Sequence, residues 1–155
     1  MVDRDQRRWT GGCQCGAVRY AATEAPHHAS ICHCRMCQKA SGGPLMAFAR
    51  VSHAALRWTR GKPAIFRSSS LVERGFCVRC GTPLTYQFLG RPHVSLTLGS
   101  LDDPEAIRPE LQYARERMLS WLPGIAGLPA TPLDDFITPD LAARFISHQY
   151  PDRED

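Results

Sequence analysis

The residues with the most chemical potential are the seven cysteines. They fall into three groups: Cys13 and Cys15 in "GGCQCGAV", Cys32, Cys34 and Cys37 in "CHCRMC", and Cys77 and Cys80 in "FCVRCGT". The amino-terminal "MVDRDQRRWTGG" is charged where a secretory leader needs an apolar run, so the expected compartment is the cytoplasm. Disulfides do not persist there, and an odd count leaves one thiol over in any full pairing. Thiols clustered this tightly suit a soft metal, zinc above all. C-x-x-C-G is a knuckle: the turn puts both sulfurs on one side, and Gly81 takes the left-handed conformation it needs. The C-x-C before Gly16 supplies the other half, so Cys13, Cys15, Cys77 and Cys80 make a four-sulfur cage. Such a structural zinc contributes folding free energy, about 10 kcal/mol in small zinc domains.

That partition leaves Cys32, Cys34 and Cys37 as a set of three. The middle run could instead borrow a fourth sulfur from either flanking pair, at the cost of a lone cysteine and a broken pair. A histidine could also close it, the candidates being His27, His28, His33, His53 and His93, although the ring of His33 is expected to point away from a metal held by its two neighbours. No run has the spacing of an iron–sulfur site. Left open, the trio is a catalytic rather than a structural pattern, because catalytic zinc keeps a position for a ligand from solution. Three thiolates make zinc a poor generator of hydroxide but a good holder of a further thiol, which it favours in the deprotonated form. Arg35 and Lys39, adjacent in sequence, are candidate counter-charges.

The formal charge is +4, from 19 Lys+Arg against 15 Asp+Glu. A zinc with four thiolates carries −2 and one with three carries −1, so the loaded protein comes to about +1. With no aromatic-interleaved basic stripe, a nucleic-acid partner is not expected. Arg4, Arg7 and Arg8 read as a solvated tail. No apolar run is long enough to cross a membrane as a helix.

The elements that must position these sulfurs read as strands. Short apolar and β-branched stretches at 17–22, 45–51, 56–60, 64–68, 84–88 and 94–100 are separated by turns at 61–63, 89–92 and 102–104. The fold class is therefore mainly β, built of small antiparallel sheets pinned by zinc. After a Gly/Pro-punctuated loop, Thr138 caps a short carboxy-terminal helix with Pro139 at its first position. Leu141, Ala142, Phe145 and Ile146 follow helical spacing and are expected to pack on the sheet. The last five residues are expected to fray.

The order "GGCQCGAVRY", "CHCRMCQKASGG", "ERGFCVRCGTPLTY" and "LGSLDDP", with a later Trp and Leu-Pro, resembles the glutathione-dependent formaldehyde-activating family, which includes centromere protein V. The resemblance runs from about Gly11 to Pro123. It implies an Mss4-like β-tent fold and two zinc ions: a structural one on Cys13, Cys15, Cys77 and Cys80, and a catalytic one on Cys32, Cys34 and Cys37. It further implies a carbon–sulfur lyase of the S-(hydroxymethyl)glutathione synthase type. Many relatives carry a histidine where this chain has Gln112, a neutral amide that does not titrate near neutral pH.

The domain layout expected is a tail over 1–10, a zinc-binding domain over 11–123 and an extension over 124–155 packed on it. The function expected is an enzyme in which a small thiol such as glutathione meets formaldehyde or another small electrophile. Arg50, Arg57 and Arg67 are candidate partners for the carboxylates of such a thiol, with nothing in the sequence to choose among them. The alternative is a binding module in which both metals are structural and the surface recognises a protein or nucleic acid.

Overall fold

The structure, a computed structural model, describes residues 9–153; Arg4, Arg7 and Arg8 lie outside them. Two sheets form the body. The smaller has the order β1 (Trp9–Gly12), β2 (Arg19–Ala22), β5 (Leu56–Arg60). The larger has seven strands: β10 (Leu111–Tyr113), β3 (His27–Cys32), β4 (Met46–Ser52), β9 (His93–Thr97), β8 (Pro83–Phe88), β7 (Val72–Phe76) and β6 (Ala64–Ser69), in that spatial order. All pairings are antiparallel except β10 with β3, which is parallel. The first strand begins at Trp9, inside the segment expected to be tail.

Alternation along β4 explains the layering. Ala49 and Val51 point into the core between the sheets, where they meet Tyr20, Ala22, Val94 and Leu96. Period-two geometry sends Met46, Phe48 and Arg50 to the opposite face. Tyr20 anchors the smaller sheet: its ring meets Trp58 edge-on at 5.9 Å, and its hydroxyl lies 2.8 Å from Ser100 Oγ. A fully buried side chain such as Leu84 or Leu96 contributes about 1.5–3 kcal/mol.

Every segment expected as a strand contains one, but β1, β3, β7 and β10 were not anticipated, nor was α1 (Arg35–Ser41). The sequence of β7, VERGF, mixes charge with glycine and lacks a run of strand formers. Gly75 is there because a Cβ would come within 2.3 Å of Thr85 Oγ1 on the neighbouring strand.

Thr138 caps α3 (Pro139–Arg144) as expected, its hydroxyl accepting from the Leu141 N–H at 3.3 Å. The expected packing is not what holds this extension. Leu141, Phe145 and Ile146 are exposed at 46%, 68% and 76%, and Phe145 is the cap that ends the helix rather than part of it. The anchor lies further on. The Tyr150 N–H donates to Gln14 O at 2.7 Å, and the guanidinium groups of Arg19 and Arg60 lie 5.4 Å and 4.9 Å from its ring centroid. The Arg153 carbonyl accepts from Arg19, so the end expected to fray is tied as far as that residue.

Candidate metal centres and the adjoining cavity

Two turns build the first cluster. Cys13 and Cys15 sit in the β1–β2 turn; Cys77 and Cys80 sit in the β7–β8 turn. In the second turn the Gly81 N–H donates to Cys77 O at 2.8 Å, with Gly81 at φ +78°, a conformation costly for any residue with a Cβ. The Val18 N–H donates to Cys13 Sγ at 3.2 Å within the first turn, and the Gln14 N–H donates to Thr82 Oγ1 at 3.0 Å, tying the first turn to the second. Sulfur separations of 3.7 Å (Cys13–Cys15) and 3.8 Å (Cys15–Cys77) test the fit of a metal. Four sulfurs at about 2.3 Å from a tetrahedral zinc lie about 3.8 Å apart, so the donor set fits zinc.

The thiols also differ electrostatically. Burial pushes Cys13 up to about 12. Burial acts the same way on Cys80, but the Thr82 hydroxyl and N–H, with the Cys15 N–H, outweigh it and bring Cys80 down to about 6. Outside the cluster, Tyr150 closes over Gly16 (φ +71°), where a Cβ would lie 2.4 Å from its ring.

The second cluster is made by a strand end and a helix start. Cys32 ends β3, Cys34 is the N-cap of α1, and Cys37 lies in its first turn, 2% exposed. The Cys37 N–H donates to Cys34 Sγ at 3.4 Å, so a candidate metal ligand doubles as the helix cap. The three sulfurs lie within 4.8 Å of one another, compatible with a shared metal. Among the described residues no His, Cys, Asp or Glu joins them as a fourth.

The five candidate histidines are all elsewhere. His33 is buried, with Nε2 2.8 Å from Gln112 Oε1. His27 and His28 stack edge-on at the far end of β3, His53 is exposed on the turn after β4, and His93 lies at the start of β9. Gln112 thus supports the ring between two cysteines from behind, and its neighbour Tyr113 is the residue that faces the cavity.

That cavity, of about 670 Å³, opens from the three cysteines across the outer face of the larger sheet. Met36, Phe48, Val72, Tyr86 and Phe88 give it an apolar body. Neither of the counter-charges expected from sequence is placed for that role: Lys39 is exposed in the last turn of α1, and Arg35 is exposed with Nη1 3.4 Å from Gln38 Oε1.

The role falls to Arg74 on β7, which is 7% exposed. It donates to Cys37 Sγ at 3.3 Å, to Met46 Sδ at 3.6 Å and to Ser68 Oγ at 3.1 Å, and lies 5.0 Å from the centroid of the Tyr86 ring. No carboxylate pairs with it among the described residues. A buried guanidinium that donates to a sulfur and meets no carboxylate is suited to a thiolate there, and it would offset the −1 of a zinc held by three thiolates. Burial nevertheless drives the Cys37 thiol up to about 12, with Arg74 pulling the other way, so a metal bound there would expel a proton. Cys34 is lowered: burial opposes the change, but the backbone N–H of Cys37 and the neighbouring sulfurs overcome it.

Arg74→Met is therefore expected to weaken the second metal equivalent about 10- to 100-fold, as loss of groups bonded to ligands does. The first equivalent should stay tight, and Arg74→Lys should recover part of the loss. Competition against a chromophoric chelator measures both equivalents in one titration. Sequence reasoning did not reach Arg74, because its position becomes visible only once β7 is paired with β8.

A mainly β protein with one four-sulfur cluster and one three-sulfur cluster open to a cavity defines a class with two candidate metal centres of different character. The family described as glutathione-dependent formaldehyde-activating enzyme matches residues 8–116, and the chain belongs to it. An uncharacterized lyase of Schizosaccharomyces pombe is 33% identical over 82 residues, a stretch covering 52% of this chain and 58% of that protein. The chain thus spans less than two thirds of that relative's length. A crystal structure of a Rhodobacter sphaeroides protein superposes with a TM-score of 0.52 at 22% identity, over 68% of this chain and 99% of that one, and shares the fold.

Proposed function

We propose that this protein is a carbon–sulfur lyase that joins a small thiol to a small carbonyl compound, and cleaves the adduct in reverse. Glutathione and formaldehyde are the pair that the family description suggests. Cys32, Cys34 and Cys37 would hold zinc, which supplies a Lewis acid that favours a bound thiol in its thiolate form. The forward reaction forms one carbon–sulfur bond, R–S⁻ + H₂C=O + H⁺ giving R–S–CH₂–OH. The reverse breaks that bond and returns thiol and aldehyde.

The chain's own residues set the conditions for it. Arg74 offsets the negative charge of the three cysteines, which would otherwise repel an incoming thiolate. Phe48, Tyr86 and Met36 wall the sulfur end and limit the access of water. Tyr86 keeps its proton, its hydroxyl pushed upward first by burial and then by the charge of Cys37. The observation that carries this reading is a three-cysteine cluster facing a cavity, with no fourth ligand among the described residues.

Metal stoichiometry combined with a thiol titration tests it. The loaded protein should hold two metals and bind one glutathione, with release of one proton. A protein that holds two metals and binds no thiol would refute the lyase reading and leave a metal-pinned scaffold.

A further inference from the structure

The end of the cavity away from the cysteines has a composition that the reaction itself does not require. Arg50, Arg91 and His93 line it together with Ser95, and among the described residues no aspartate or glutamate lines the cavity. The sheet register explains the grouping. Arg50 pairs with Ser95, and Ser52 with His93, so these side chains share the outer face of neighbouring strands β4 and β9. Ser95 in turn pairs with Tyr86, and Tyr86 with Arg74, so one cross-strand row runs from the basic end to the sulfur end.

Along β4 the two ends are separated by the four steps from Met46 to Arg50, about 13 Å at 3.3 Å per residue. Arg50 has no carboxylate partner among the described residues, and the guanidinium of Arg91 lies 5.8 Å from the Phe88 ring centroid. The other two arginines singled out by sequence are excluded by position. Arg57 is exposed on β5, in the other sheet, and Arg67 is exposed on β6 and 3.8 Å from Glu73.

We infer that Arg50, Arg91 and His93 form an anion-binding end of the cavity that selects thiols carrying a carboxylate several bonds from the sulfur. Like charges gathered on one partly desolvated wall repel one another, and an arriving carboxylate relieves that repulsion while accepting charge-assisted hydrogen bonds. His93 reports the same field: its basicity is lowered first by burial and then by Arg50, Arg91, His27 and His53. The apolar stretch between the two ends, Phe48 and Phe88 included, suits the uncharged middle of such a molecule. This inference rests on the proposal that a thiol occupies the three-cysteine end, and it adds which thiols.

Calorimetric titration of the two-metal protein with glutathione, glutathione diethyl ester and 2-mercaptoethanol separates the two claims. Glutathione should bind about tenfold or more tightly than its diester, from which it differs in the two carboxylates. Arg50→Gln should bring glutathione down to the affinity of the diester while leaving the diester itself unchanged, and Arg91→Gln should act in the same direction. Equal affinities for glutathione and the diester in the unaltered protein would overturn the anion-binding end alone. Binding of none of the three thiols would overturn the lyase reading and this inference with it.

Discussion

Cys77→Ser is expected to leave the chain unfolded or aggregated, with neither metal retained. Cys77 is 1% exposed and belongs both to the four-sulfur cluster and to the main core. Serine removes the thiolate and puts a hydroxyl among apolar groups, a poor exchange in a buried site. The larger loss is the metal. A structural zinc contributes about 10 kcal/mol in small domains, and a domain's whole stability is about 5–15 kcal/mol. Removing one of four thiolates therefore exhausts most of the margin. The cluster also closes a long loop, since Cys13 and Cys80 meet across the intervening chain, and the β1–β2 and β7–β8 turns have few other direct ties. Circular dichroism with metal analysis of the purified protein checks this; a folded variant melting like the parent would show that the core suffices without the metal.

Cys34→Ser should behave in the opposite way: folded, one metal equivalent instead of two, and no lyase activity. The contrast follows from position. Cys34 is partly exposed at a cavity wall and contributes to the smaller of the two apolar clusters. Its structural duty is to accept the Cys37 N–H as the N-cap of α1, and serine is among the best residues for that duty. The substitution thus preserves the helix start while removing a soft ligand, and the change in capping should stay within about 1 kcal/mol. Two measurements suffice: zinc content after desalting, and the rate of S-hydroxymethylglutathione formation from glutathione and formaldehyde. An active variant holding two zinc ions would remove the three-cysteine site from the chemistry.

The two cysteine clusters were the most legible part of the molecule, because the knuckle and the C-x-C spacing constrain geometry locally. The six expected strands were legible too, since each carries its own run of β-branched or apolar residues. What could not be read was set by distant partners. Arg74 looks like a surface residue in VERGF, and becomes a buried counter-charge only when β7 lies between β6 and β8. Arg35 and Lys39 looked better placed because sequence proximity is visible and cross-strand proximity is not. The strand β3 was hidden by His27 and His28, the latter at φ +47°, where the ladder to β4 is irregular. Arg50 was a candidate among three, and the register of β4 with β9 separated it from Arg57 and Arg67. The carboxy-terminal extension misled for a related reason: helical spacing at Leu141 and Phe145 suggested a buried face, whereas the tether is the Tyr150 ring between two arginines together with backbone bonds at Tyr150 and Arg153.

One short strand serves both sulfur clusters. Arg74 on β7 reaches Cys37, and Cys77, just past the end of the same strand, belongs to the four-sulfur set. The span between them is about 10 Å of extended backbone, too stiff and too brief for either end to shift alone. Should both clusters take metal, the two sites are expected to be coupled: filling the four-sulfur cluster would pin Cys77 and steady the strand that carries Arg74, so the three-sulfur cluster should hold its ion less tightly whenever the first stands empty.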